Sequence, residues 1–171
     1  MTSTGTSHRT RRVINNSVTD ESILSVRWAA GPDVTTRELE SLLRLRVRVF
    51  VVEQSCPYQE VDGRDLESRT RHLWLSDGAQ PLAYLRMLSQ PDGTVRIGRV
   101  CTVPHARGRG LAGRLMTEAV ANVGGAECVL NAQVYVRDFY ARFGFRPEGR
   151  EFLDDGIPHI RMRRPASART G

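Results

Sequence analysis

The chain has 171 residues, 40% of them hydrophobic, which suits one domain around one core and excludes a wholly disordered polymer. Its formal net charge of +6 is a property of the ends: Arg9, Arg11 and Arg12 precede the first apolar segment, Arg161, Arg163, Arg164 and Arg169 close the chain, and all 19 acids fall between Asp20 and Asp155. A near-neutral body without a patterned basic patch speaks against nucleic acid as the partner, and no apolar run approaches the length of a membrane span or a leader, so the expectation is a cytoplasmic protein with no membrane partner.

In chain order, residues 1–20 are polar and basic and read as a disordered arm before a single domain over 21–164. Residues 22–30 read as a strand, broken by Gly31-Pro32. Thr35 with Glu38 three residues on makes a capping box, and Leu39, Leu42, Leu43, Val47 and Phe50 follow at helical spacing, which predicts a helix to about Phe50. Residues 51–66 are irregular and acidic. Strands are expected at 72–75, 81–88 and 95–103, separated by Asp77-Gly78 and Pro91-Asp92-Gly93, as an antiparallel meander. A helix over 108–123, stopped by Gly124-Gly125, leads to a strand at 128–134. A short helix at 137–143 ends at Gly144. Strands at 145–152 and 158–164 flank Asp154-Asp155-Gly156, and 165–171 form a loose tail. The order implies a mixed α/β domain with one β-α-β crossover between 95–103 and 128–134.

The strongest local signal is Arg107-Gly108-Arg109-Gly110-Leu111-Ala112-Gly113, at a strand-to-helix junction. Glycines there let backbone N–H groups approach a phosphate, the helix start adds free donors and partial positive charge, and Arg107 and Arg109 add charge-assisted contacts. The bland alternative is a glycine-rich turn with solvated arginines. A P-loop is excluded because the chain has no lysine. Gly108, Gly110 and Gly113 spell a dinucleotide fingerprint, but they stand too far from the strand, and no acid ends the next strand.

R-G-R-G-L-A resembles the pyrophosphate motif R/Q-x-x-G-x-G/A of the GNAT acetyltransferases, with Arg107, Gly110 and Ala112 in the defined positions. R-V-R-V-F-V-V-E-Q-S-C-P-Y (46–58), I-G-R-V (97–100), F-Y-A-R-F-G-F (139–145) and D-G-I-P-H (155–159) are similar to the ElaA-like subgroup. The resemblance implies a GNAT-like fold: a central, mostly antiparallel sheet with two splayed parallel strands, flanked by helices. It further implies that acetyl-coenzyme A is the cosubstrate, that backbone groups near Cys101 and Val103 bond its pantetheine arm, that 108–113 hold the pyrophosphate, and that Tyr140 stands beside the sulfur.

A phenol of pKa about 10 stays protonated at neutral pH and can donate to a departing thiolate, which makes Tyr140 the candidate acid; otherwise it is a core aromatic. Glu53, at the end of the first helix, is the candidate base, or else a surface carboxylate. Tyr58, Asp62 and Asp65 are candidates to attract a cationic amine, small molecule or chain terminus, though such runs are more often solvated. His159 gains an acceptor-side role only from its subgroup motif; His72 reads as structural. The odd cysteines Cys56, Cys101 and Cys128 show neither disulfide, zinc nor nucleophile spacing, so no metal is expected. Three readings stand: direct acetyl transfer in a ternary complex, a coenzyme A-binding regulatory module without catalysis, and a nucleotide-dependent oxidoreductase. A homodimer is compatible with each.

Overall fold

A computed structural model describes residues 24–78 and 80–167; the arm 1–20, residues 21–23 and the tail 168–171 lie outside the described residues. The first strand, β1 (Ser25–Ala30), runs into a 3-10 turn at Gly31–Asp33 and then α1 (Thr36–Arg46). The capping box forms: the Glu38 N–H donates to Thr35 Oγ1 at 3.3 Å and the Thr35 N–H donates to Glu38 Oε2 at 3.1 Å. The chain stays helical beyond the expected end, but as a π-helical segment, Val47–Glu53. Its β-branched residues Val47, Val49, Val51 and Val52 fit the tighter α-helix poorly. β2 (Thr70–Ser76), β3 (Pro81–Ser89) and β4 (Val95–Thr102) form the expected antiparallel meander. There follow α2 (Leu111–Asn122), β5 (Cys128–Gln133), α3 (Arg137–Ala141), β6 (Arg146–Pro147), β7 (Phe152–Asp154) and β8 (Ile157–Arg164).

The strands make one 8-stranded sheet of order β1-β2-β3-β4-β5-β8-β6, with β7 also on β8. Only β4 and β5 pair in parallel, at Val95↔Cys128 and Arg96↔Val129. Cross-strand partners share a face of the sheet. Registers therefore put Trp74, Tyr84, Arg86, Arg96, Gly98, Gln133 and His159 on one face. α1 covers part of it: Arg27 pairs with Glu38, and Arg46 lies over the Tyr84 ring at 5.7 Å. The opposite face carries Leu73, Leu75, Leu85, Ile97 and Leu130, which join Leu111, Leu115, Met116 and Ala119 of α2 in the core. Each such leucine contributes about 1.5–3 kcal/mol by leaving water, so this face dominates the fold's stability.

One irregularity shapes the site. Tyr84 pairs with Cys101, but Arg86 pairs with Gly98, so Arg99 and Val100 stand against Leu85 alone. This is a β-bulge, and Arg99 takes φ +56 within it. β4 bends there, and its ladder with β5 stops at Arg96↔Val129 although both strands continue.

Three expected boundaries shift. The strand expected at 145–152 is interrupted, because Pro147 donates no hydrogen bond and Gly149 turns the chain at φ +81. The helix expected from 108 begins at Leu111, since Gly108 and Gly110 both sit at φ +74. The start of the tail is tied down: the Ser167 N–H donates to the Gly125 carbonyl at 3.1 Å.

Candidate active site at the diverging strands

Where β4 and β5 part, their facing backbone edges border a cleft of about 740 Å³. At its open end lie the two left-handed glycines. A Cβ at Gly108 or Gly110 would meet nothing within 4 Å, so the space over the turn is clear of protein. Gly110 caps α2 without a side-chain bond, which leaves the N–H groups of the first turn, from Leu111 through Ala112 to Gly113, open to a ligand. Free donors, clear space and the positive helix end suit a pyrophosphate. Arg109 is exposed and off the cleft wall.

Arg107 is on the wall, but its fork is engaged. Nη1 donates to Glu53 Oε1 at 2.6 Å, Nη2 to Oε2 at 2.8 Å, and Nε to the Thr102 carbonyl at 3.1 Å. The Arg107 guanidinium holds the Glu53 carboxyl below the ordinary carboxylate range. Glu53 thus borders the cleft as expected, in the grip of the cradle arginine rather than as a free base. Cys101 also lines the cleft, and burial pushes its thiol well up, so it is no thiolate. Val103 requires a correction. It does not line the cleft, and its N–H donates to the Leu82 carbonyl at 2.8 Å, so that donor is not left for a pantetheine arm; its carbonyl accepts from the Ala106 N–H at 3.0 Å.

Tyr140 lies in the last turn of α3, edge-on to Phe139 at 5.0 Å and Phe145 at 6.4 Å. It is 8% exposed and borders the cleft, yet its hydroxyl has no hydrogen-bond partner among the described residues. The ring is packed away while the oxygen opens onto the cleft. Burial raises its pKa further, which keeps the proton on the oxygen.

A glycine turn opening a helix, beside splayed parallel strands, is the arrangement the sequence motif anticipates. The acetyltransferase (GNAT) domain profile matches residues 32–165. The chain belongs to the GNAT acetyltransferase family. It is 50% identical over 145 residues to the UPF0039 protein Rv2851c of Mycobacterium tuberculosis, covering 82% of this chain and 91% of that one. It is 39% identical over 140 residues to the protein ElaA of Escherichia coli, covering 77% and 90%. The crystal structure of an acyl-CoA N-acyltransferase from Pseudomonas aeruginosa superposes with TM-score 0.79 at 44% identity, over 82% of this chain and 99% of that one. The GNAT family binds coenzyme A and transfers its acyl group to amines, so this chain has the fold for that chemistry.

In this GNAT chain the acidic loop after the π-helical segment does not offer its carboxylates to the cleft. Asp65 is buried, with Oδ1 accepting from Arg46 Nη1 at 2.6 Å and Arg86 Nη1 at 2.8 Å. Asp62 accepts from Arg86 at 2.5 Å, and Glu60 pairs with Arg46 at 2.5 Å and Arg99 at 2.7 Å. Burial alone would push Asp65 and Asp62 up, but the guanidiniums outweigh it and hold both below the ordinary range. The expectation that Asp62 and Asp65 attract a cationic amine is therefore corrected: three arginines neutralise the loop's carboxylates, and neither aspartate lines the cleft. Tyr58 does line it; its hydroxyl donates to Glu60 and Arg99 lies over its ring at 5.7 Å. His159 lines it too, with Nδ1 on the Ile157 carbonyl at 2.8 Å and its ring stacked on Phe152. His72 is structural, bridging the Tyr84 hydroxyl and the Asp65 carbonyl, each at 2.8 Å.

The residues that sequence reasoning missed are the arginines of the cleft floor, Arg86, Arg96 and Arg99. Arg86 carried a readable signal: a charge inside the apolar run Pro81–Ser89 needs a buried partner. Cross-cleft ties were not readable. Gln54 and Gln133 exchange amide hydrogen bonds at 3.5 and 3.2 Å, and the Cys56 thiol donates to the Asp155 carbonyl at 3.5 Å.

Proposed function

We propose that the chain transfers an acetyl group from acetyl-coenzyme A to an amine by direct attack within a ternary complex. The observation that carries this reading is the Tyr140 hydroxyl, without a hydrogen-bond partner among the described residues, on the cleft opened by β4 and β5. Acetyl-coenzyme A supplies the activated thioester. The N–H groups of 108–113 hold its pyrophosphate, and the unpaired edges of β4 and β5 beyond Arg96 and Val129 bond its pantetheine amides. A backbone N–H of that edge stabilises the oxyanion, and Tyr140 gives its proton to the leaving sulfur. Direct attack is favoured over an acyl-enzyme because Cys101 is kept protonated by burial and the other cysteine on the cleft, Cys56, gives its thiol proton to a hydrogen bond with the Asp155 carbonyl.

Of the carboxylates on the wall, Glu53, Asp154 and Asp155, Glu53 is the candidate to accept the amine's proton, once Arg107 turns to the pyrophosphate. The acceptor is a small molecule or a chain terminus. With no lysine in the chain, it cannot be a lysine of its own.

Tyr140→Phe tests the reading, with thiol release from acetyl-coenzyme A followed over an amine panel. The ring packing stays and one hydroxyl goes, so coenzyme affinity should hold while kcat and kcat/KM fall together by roughly 10²–10⁴-fold. A variant that turns over at the wild-type rate removes Tyr140 as the acid.

A further inference from the structure

Arg96 stands on the cleft floor without a counter-charge. It faces Leu88 of β3 and Val129 of β5, on the sheet face of Arg86 and Gly98. The other arginines bordering this cleft each have a carboxylate: Arg86 has Asp62 and Asp65, Arg99 has Glu60, and Arg107 has Glu53. Across β5, Arg161 and Arg163 share Glu148. Arg96 forms no ion pair and no side-chain hydrogen bond among the described residues. Partial burial, and then the like charges of Arg161 and Arg64, pull its pKa below the ordinary value.

The surroundings leave room for an anion. Gly98 contributes no side chain, and a Cβ there would meet nothing within 4 Å. Asn131, on the same face of β5, is exposed to the cleft and has no side-chain partner among the described residues. A half-buried guanidinium beside like charges is poorly solvated, and a planar carboxylate matches its fork.

We infer that the amine acceptor carries a carboxylate, bound by the Arg96 guanidinium with the Asn131 amide beside it. The inference rests on the acyl-transfer reading for the word acceptor and on Arg96 for the carboxylate. Arg96 and Cys101 face Leu88 and Tyr84, four residues apart on β3, so across the bulge they stand roughly 13 Å apart, and Cys101 lines the cleft with Tyr140. Allowing for the reach of the arginine side chain, amine and carboxylate are roughly 10 Å apart. The acceptor class is an elongated amino acid or short peptide rather than a compact α-amino acid.

The test compares 8-aminooctanoate with its carboxamide. Binding to enzyme saturated with coenzyme A is measured by calorimetry, and transfer by thiol release from acetyl-coenzyme A. Wild type should prefer the acid at least tenfold in Kd and in kcat/KM. Arg96→Gln should cancel that preference by weakening the acid and sparing the amide, with coenzyme affinity unchanged as the check on folding. Arg96→Lys should keep part of the preference. Equal binding of acid and amide by wild type, or a preference that survives Arg96→Gln, overturns the inference. Transfer without any preference for the acid defeats the carboxylate site and leaves the acyltransferase standing. An Arg96-dependent preference in binding, with no transfer to any amine, does the reverse.

Discussion

Glu53 and Arg107 meet as a two-point fork across 54 residues of chain, both of them partly exposed. A pyrophosphate in the cradle would compete with Glu53 for that guanidinium. Exposed ion pairs contribute about 0.2–1 kcal/mol, so removing the competing charge has a small effect with a definite sign. Glu53→Gln should tighten coenzyme A binding by roughly two- to fivefold at low salt, and the gain should shrink as salt screens the site. Calorimetry at two ionic strengths checks this, and weaker binding in the variant would place Arg107 outside the cradle. The maximal rate reads the second role separately: a fall of roughly 10²-fold or more makes Glu53 the base, and an unchanged kcat leaves it a clamp. Gly110 has a mixed liability. At φ +74 a β-branched replacement strains the backbone by about 1–2 kcal/mol besides filling the cradle, so a loss of coenzyme binding there would not isolate the cradle.

At the scale of elements, Gly31 shows how tightly the acidic loop is held. A Cβ on Gly31 would stand 2.3 Å from the Glu67 carbonyl oxygen and 2.8 Å from that of Asp65, both of them backbone. Gly31→Ala must push this loop off the sheet and should cost about 1–3 kcal/mol, lowering the melting temperature by several degrees. A melting curve matching wild type would mean the loop yields freely. The meander was legible in sequence because Asp77-Gly78 and Pro91-Asp92-Gly93 punctuate it, and α1 because its cap is local. The glycine turn that opens α2 was legible because Gly108 and Gly110 serve a backbone geometry that no other residue adopts as readily. What escaped is long-range. Arg46 reaches Glu60 across 14 residues and Asp65 across 19, and Arg86 reaches Asp62 across 24, so an acidic loop read alone passes for a lure to cations. The bulge at Arg99 escaped because a non-glycine residue at positive φ leaves no mark in sequence. Pro147 could have warned against a continuous strand before β8.

At the scale of the molecule, one sheet face is apolar and carries the stability, while the other is polar and joins the acidic loop to the cleft through buried charge. Arg46, 0% exposed, satisfies Glu60 and Asp65 while Arg86 ties Asp65 to Asp62, so α1, the loop and β3 share one network. Such a network adds little over an apolar core, but losing one partner strands the others and costs about 3–5 kcal/mol. Asp65→Asn should therefore lower the melting temperature at neutral pH by roughly 6–20 °C, at about 2–4 °C per kcal/mol for a chain of this size. Acid should erase that difference. Asp62 and Asp65 are both depressed in the fold, so their contribution is complete above the unfolded value of about 3.9 and is lost as pH falls through the lower folded values. Wild type should lose stability steeply below about pH 4, and Asp65→Asn less steeply, because one of the responsible carboxylates is already gone. Thermal unfolding of both proteins from pH 7 to pH 2 should show the gap between them closing. A gap that stays constant across that range would mean that Asp65 contributes shape to the loop and not charge.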